Sequence, residues 1–187
     1  MKKIKQLFFC SVFTLLSVSI VFGQNETPTL PIDSSSGKIT YTQVVMLKDS
    51  ISKDELFSRA KISLAHLFKD SKSVIQTEDK ESGIIIGKGA MSVTYKSAGT
   101  VFDAGYIHYT LTLAMKQSKY KYVITDFYHD GTGSKLPSGG AMETPKPKMW
   151  YQKQWDNAKL KMDSDLKSLI ESLKTEMNKP TPKSDNW

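Results

Sequence analysis

From Ile107 to Met115 the chain alternates without a break. Ile107, Tyr109, Leu111, Leu113 and Met115 take every second place, and His108, Thr110, Thr112 and Ala114 fill the gaps. A helix cannot use that period, because a 3.6-residue turn would scatter the apolar side chains around its whole circumference. A strand sends them all to one face. The chain must therefore build a sheet with one dry face and one wet face, and such sheets are antiparallel.

The segment after it fixes a register. Gln117-Ser118 is a short turn, and Lys119 to about Tyr128 reads as the next strand. A two- or four-residue turn centred there pairs Met115 with Tyr120, Leu113 with Tyr122 and Leu111 with Ile124. Cross-strand partners share a face, so Tyr120, Tyr122, Ile124 and, by continued alternation, Tyr128 fall on the dry side. The wet side then carries His108 opposite Phe127 and Tyr106 opposite His129. Tyr106, His108, Phe127 and His129 are thus expected as an aromatic-imidazole cluster on the outer face. A three-residue turn would reverse the assignment.

The remaining elements follow from local signals. Ile39 to Leu47 is a strand candidate rich in β-branched residues. Ser52-Lys53-Asp54-Glu55 is a capping box, with Ile51 and Leu56 placed as a hydrophobic staple. Leu56, Phe57, Ala60, Leu64, Leu67 and Phe68 share one helical face, and this helix should end near Lys69. Val74 to Asp79 is a second strand, and Glu81-Ser82-Gly83 is a hairpin loop with Gly83 in the left-handed position. A third strand runs from Ile84 to about Tyr95, followed by a loop near 97–103. Residues 130–149 are a long loop with four glycines and three prolines. Trp155, Ala158, Met162, Leu166, Leu169, Leu173 and Met177 then stripe a helix from about Met149 to Met177, roughly 40 Å long. The order is β-α-β-β-β-β-α, an α+β chain with a five-stranded antiparallel sheet.

Residues 83–89, Gly-Ile-Ile-Ile-Gly-Lys-Gly, look at first like a phosphate cradle. The spacing argues otherwise. A phosphate loop needs four residues between its glycines, a Ser or Thr after the lysine, and a helix next. Here three residues intervene, Gly89 follows Lys88, and Ala90 to Tyr95 alternate like a strand. Gly87 and Gly89 share parity with Ile85, Met91 and Val93, so they are expected on the core face, leaving a gap for a crossing helix.

The N-terminus reads as an export signal. Lys2, Lys3 and Lys5 precede an uncharged apolar stretch from Leu7 to Val21, and Val21-Phe22-Gly23 offers a cleavage site before Gln24. The stretch is short for a membrane span. Cys10 lies within it rather than after it, so the chain is not read as a lipoprotein. Removing residues 1–23 takes three lysines and no acid, leaving 23 basic against 19 acidic residues, a net +4. It also removes the single cysteine, and with it any disulfide, thiolate nucleophile or Cys-ligated metal. The expected domains are therefore 1–23 signal peptide, 24–38 flexible linker, 39–178 a single domain, and 179–187 a disordered tail. The expected location is periplasmic or secreted.

The segments "ITYTQVVML", "SKDELFSRAKISLAHLF", "SVIQTEDKESGIIIGKG" and "YIHYTLTLAMKQSKYKYVITDF" carry a resemblance over about residues 39–128. The chain resembles a secreted, mainly Bacteroidetes family: a domain of unknown function with a TATA-box-binding-protein-like (TBP-like) fold. The resemblance implies a curved antiparallel sheet with helices on one face. It implies no catalytic residues, because the family has no established activity.

Candidate chemistry is sparse. Asp126, His129 and Asp130 are close in sequence, but strand alternation sends Asp126 and His129 to opposite faces. Asp126 is expected on the inner face, opposite Tyr109. Arg59 is the only arginine, and the lysines are interleaved with acids, which does not suit a nucleic-acid reader. No catalytic residue, cofactor or metal site is assigned. The chain is read as a non-catalytic binding or structural module for a protein or polymer partner, working through Tyr106, His108, Phe127 and His129. The alternative is a carrier of a small apolar ligand, held between sheet and long helix by Tyr120, Tyr122, Trp155 and Met162.

Overall fold

The computed structural model describes residues 28–68 and 74–181. The expected signal peptide and residues 182–187 of the expected tail lie outside the described residues. In chain order the elements are β1 (Tyr41–Met46), α1 (Lys53–Leu67), β2 (Ile75–Asp79), β3 (Ile84–Ser97), β4 (Thr100–Lys116), β5 (Lys119–Asp130), β6 (Gly140–Ala141) and α2 (Gln152–Met177). One antiparallel sheet runs β1-β5-β4-β3-β2, and β6 pairs with β5 beyond the reach of β1. Its sixth strand, β6, is a two-residue piece inside the segment expected to be a plain loop.

The alternation in β4 does what its period demands. Ile107, Tyr109, Leu111, Leu113 and Met115 are buried, and the opposite parity faces outward. Gln117-Ser118 is a two-residue turn with Ser118 at φ 57°, and it sets Met115 against Tyr120, Leu113 against Tyr122 and Leu111 against Ile124, as the sequence implies. α1 and α2 pack together on the inner face. Leu56, Phe57, Ala60 and Leu64 of α1, and Trp155, Ala158, Met162, Leu166, Ile170, Leu173 and Met177 of α2, complete the core.

Caps and ties hold the helices in place. Ser52 accepts from the Glu55 N–H at 3.1 Å, and Ile51 and Leu56 are both buried. The other half of the expected capping box is absent, because Glu55 is engaged elsewhere. It accepts from Arg59 Nε at 2.8 Å and from the Thr181 N–H and hydroxyl at 3.1 and 2.8 Å. Arg59 also donates to the carbonyl of Met177 at 3.4 Å, where α2 leaves carbonyls unpaired. The single arginine therefore ties the helices together, and the start of the expected disordered tail is docked.

Three further expectations change. Residues 28–38 are a structured turn rather than a flexible linker: Asp33 accepts from the Ser35 and Ser36 N–H groups, and Ile32 bridges to Ile39. The loop near 97–103 is a tight hairpin. Ala98 and Gly99 both have positive φ, which turns the chain in two residues and lengthens β3 and β4. The glycines of β3 accommodate side chains rather than a helix. A Cβ on Gly89 would fall on the ring of Tyr109, its direct partner on β4. A Cβ on Gly87 would meet Val74 at 3.3 Å. An aromatic ring laid over a strand glycine restores the contact area that the glycine lacks.

Candidate binding surface

The inner face is closed by two helices, and the outer face is left open to solvent. What that face displays is decided at Asp126. Up to Thr125 the β4–β5 ladder is regular, with Thr110 opposite Thr125. The next pair is His108 with Tyr128. Tyr109 therefore faces two residues, Asp126 and Phe127, and Asp126 takes φ 59°. This is a β-bulge: one extra residue, one of them left-handed. Asp tolerates that backbone better than most residues. Its carboxylate leaves the sheet and meets Lys38 Nζ at 2.6 Å, so it is not the inward partner of Tyr109 that alternation implied.

One inserted residue inverts every side chain beyond it. Phe127 and His129, expected outside, are 1% and 0% exposed. Tyr128, expected inside, is 50% exposed. The outer cluster is thus Tyr106, His108, Tyr128 and Asp130. Tyr106 is 47% exposed, and its ring lies 6.5 Å from that of His108. His108 Nε2 stands 3.9 Å from Asp130 Oδ2. Asp130 accepts from the N–H and hydroxyl of Thr132 and from the Ser138 hydroxyl, and these bonds hold its carboxyl below the usual range. The group presents two tyrosine faces, an imidazole and an ionised carboxylate to solvent, which suits hydrogen bonding and stacking on a partner.

His129 has become a core residue with a defined tautomer. Gly139 N–H donates to its Nδ1 at 2.9 Å, so Nε2 carries the proton and donates to the Ala104 carbonyl at 2.7 Å. Trp150 and Trp155 stand edge-on to the ring, at 4.8 and 6.0 Å between centroids. Burial lowers its proton affinity. The loop between β5 and α2 is therefore a packed cover: it supplies Gly139, Met142 and Trp150 to the core over this imidazole.

Tyr120, Tyr122, Trp155 and Met162 are all buried members of the one continuous core. The Tyr122 hydroxyl reaches Gln43 at 3.2 Å and the Trp155 indole reaches the Thr144 carbonyl at 3.4 Å. The Tyr120 hydroxyl is buried with no hydrogen-bond partner among the described residues. Among the described residues no three His, Cys, Asp or Glu side chains gather as a metal would require, and no helix is long and apolar enough to cross a membrane.

A family model, a domain of unknown function with TBP-like fold (DUF4468), matches residues 34–130. The chain belongs to this family. Two solved structures share its fold. A DUF4468 protein from Bacteroides ovatus superposes with a TM-score of 0.57 at 12% identity, covering 80% of this chain and 91% of its own. A TBP-like protein from Parabacteroides distasonis gives 0.55 at 13%, covering 77% and 96%. At such identities the likeness speaks for the fold alone. No curated protein matches the chain. Within DUF4468, the matched span ends at Asp130, so the cover and α2 lie beyond it.

Proposed function

We propose that this DUF4468 chain is an exported, non-catalytic binding module of the cell envelope or secretome. Its working surface is the open sheet face at Tyr106, His108, Tyr128 and Asp130. The observation that supports this is the asymmetry of the sheet: both helices pack on one face, while the other displays two half-exposed tyrosines beside an imidazole and a carboxylate. Export rests on the charge and apolar pattern of residues 1–23.

Site-specific photo-crosslinking in the native host tests the surface. A photoreactive residue at position 128 should capture a discrete protein or polymer, and one at Ser58, on the solvent side of α1, should not. Equal capture at both positions, or none at 128, would contradict the reading. The intact mass of the native protein tests export separately. A chain beginning at Gln24 is expected, and an unprocessed chain would refute that part.

A further inference from the structure

We propose that the far end of the same face, at the β4–β5 turn, docks on a lipid surface rich in anionic headgroups. Register brings the parts together. Lys116 and Lys119 are direct cross-strand partners across the two-residue turn. Lys119 is also paired with Met46 of β1, and Lys121 stands between Ala114 and Val44. All share the outer parity. Val44 is 52% and Met46 67% exposed, among the most open large apolar side chains described. Between them is a shallow hollow of about 230 Å³, lined by Val44, Ala114, Tyr120 and the three lysines.

Like charges directly opposite each other weaken a sheet. Here that cost is taken at Lys116–Lys119, and Lys121 adds a third positive charge two residues along the same face. None of the three lysines has an ion pair or hydrogen-bonded acid among the described residues. Some other lysines find acids, as Lys38 does with Asp126 and Lys61 with Glu78, but Lys116 and Lys119 are the ones that face each other across a ladder. A local rule broken without internal compensation points outward, to an anion that supplies it.

The apolar side chains say what kind of anion. Val44 and Met46 project from β1, the edge strand here, beside the ammonium groups. Lysines flanking protruding apolar tips match a bilayer interface, with phosphates at the ammonium groups and acyl chains at the tips. The hollow is smaller than the 300–1,000 Å³ of sites that enclose a ligand, so its occupant is a surface that it rests against. A second copy would set lysine against lysine across a two-fold axis. A nucleic acid would find no arginine and no exposed aromatic ring here to stack on. The patch lies roughly 30 Å along the strands from Tyr106 and Tyr128, so the inference stands or falls apart from the surface proposed above.

The test is vesicle co-sedimentation of the chain as isolated from its host. Binding is expected to phosphatidylglycerol-containing vesicles and not to phosphatidylcholine alone, and it should weaken with salt. Replacing Lys116, Lys119 and Lys121 together by Gln should weaken it at least about tenfold. Replacing Lys146, Lys148 and Lys153, beyond the opposite end of β5, should change it less than about twofold. All variants share one N-terminus, so its contribution cancels. On the unmodified protein, vesicles should protect Lys116, Lys119 and Lys121 from acetylation and leave Lys146 and Lys148 reactive. Equal binding to both vesicle types, equal loss in the two triple variants, or no protection at the turn would overturn the proposal. So would protection by dissolved alkyl phosphate monomers without vesicle binding, which would assign the patch to a soluble ligand. An acidic protein co-purifying through these lysines, with no vesicle binding, would overturn it as well.

Discussion

The two halves of β5 obey the same alternation and end up on opposite terms with the core. From Lys119 to Ile124 the strand lies between β4 and β1, and its even-numbered residues are buried. From Phe127 to Asp130 it lies between β4 and β6, and its odd-numbered residues are buried. Only the bulge at Asp126 separates them. A face assignment is therefore a local property, and one left-handed residue is enough to exchange a surface cluster for a core cluster.

The largest effect should come from removing that residue. Deleting Asp126 restores unbroken alternation and drives Phe127 and His129 out of the core. A loss of at least about 4 kcal/mol, or failure to fold, is expected in urea unfolding. A deletion that left stability near wild type would show that either face assignment is tolerated. Next comes a matched pair. Phe127→Ala should cost about 3–5 kcal/mol, as large core truncations do, and Tyr128→Ala should stay within about 0.5 kcal/mol. Near-equal costs would dissolve the distinction between the two residues.

Gly89→Val sharpens the same sheet from β3. The added side chain would collide with the Tyr109 ring, and a loss of about 1–3 kcal/mol is expected. An unchanged melting temperature would mean that the ring does not lie over the glycine.

The smaller effects concern protons and one hydroxyl. His129 is neutral in the fold, and burial lowers its pKa from 6.5. Asp130 opposes that shift and His108 adds to it. Below about pH 6.5 the unfolded chain binds a proton that the folded chain refuses. The contribution of His129 is thus full above that pH and is lost as pH falls through and below it. Melting temperatures across this range should show the fall, and His129→Gln should lack that component. Tyr120→Phe removes the hydroxyl that has no partner, so it should be neutral or stabilising by at most about 1 kcal/mol. A loss of similar size would reveal a hydrogen bond to that oxygen.

Much of the fold was legible in the sequence because its signals are periodic. The β4 alternation, the Ser52 cap, the Gly83 turn and the α2 stripe each depend on residues a few positions apart. The β4–β5 register followed from one turn and held as far as Thr125. What escaped depends on backbone angles that side-chain type barely marks. Ala98 and Asp126 both adopt positive φ where glycine or asparagine would have announced it. The sole hint at the bulge was an aspartate at a position whose parity, from Tyr120 to Ile124, is otherwise apolar, and the inner-face placement opposite Tyr109 was the wrong reading. Half of the expected surface cluster therefore survived: Tyr106 and His108 before the bulge, Tyr128 and Asp130 replacing Phe127 and His129 after it. The tie from Arg59 to the end of α2 spans 118 positions, and no local pattern encodes it.

Thiol labelling reads the inversion at Asp126 most directly. The chain from Gln24 onward has no cysteine, so single cysteines can be placed at 127, 128, 129 and 130 in turn. Under native conditions Tyr128→Cys and Asp130→Cys should react quickly, and Phe127→Cys and His129→Cys should react only through opening of the fold. The reverse order, fast at 127 and 129 and slow at 128, would contradict the bulge and return the outer face to plain alternation.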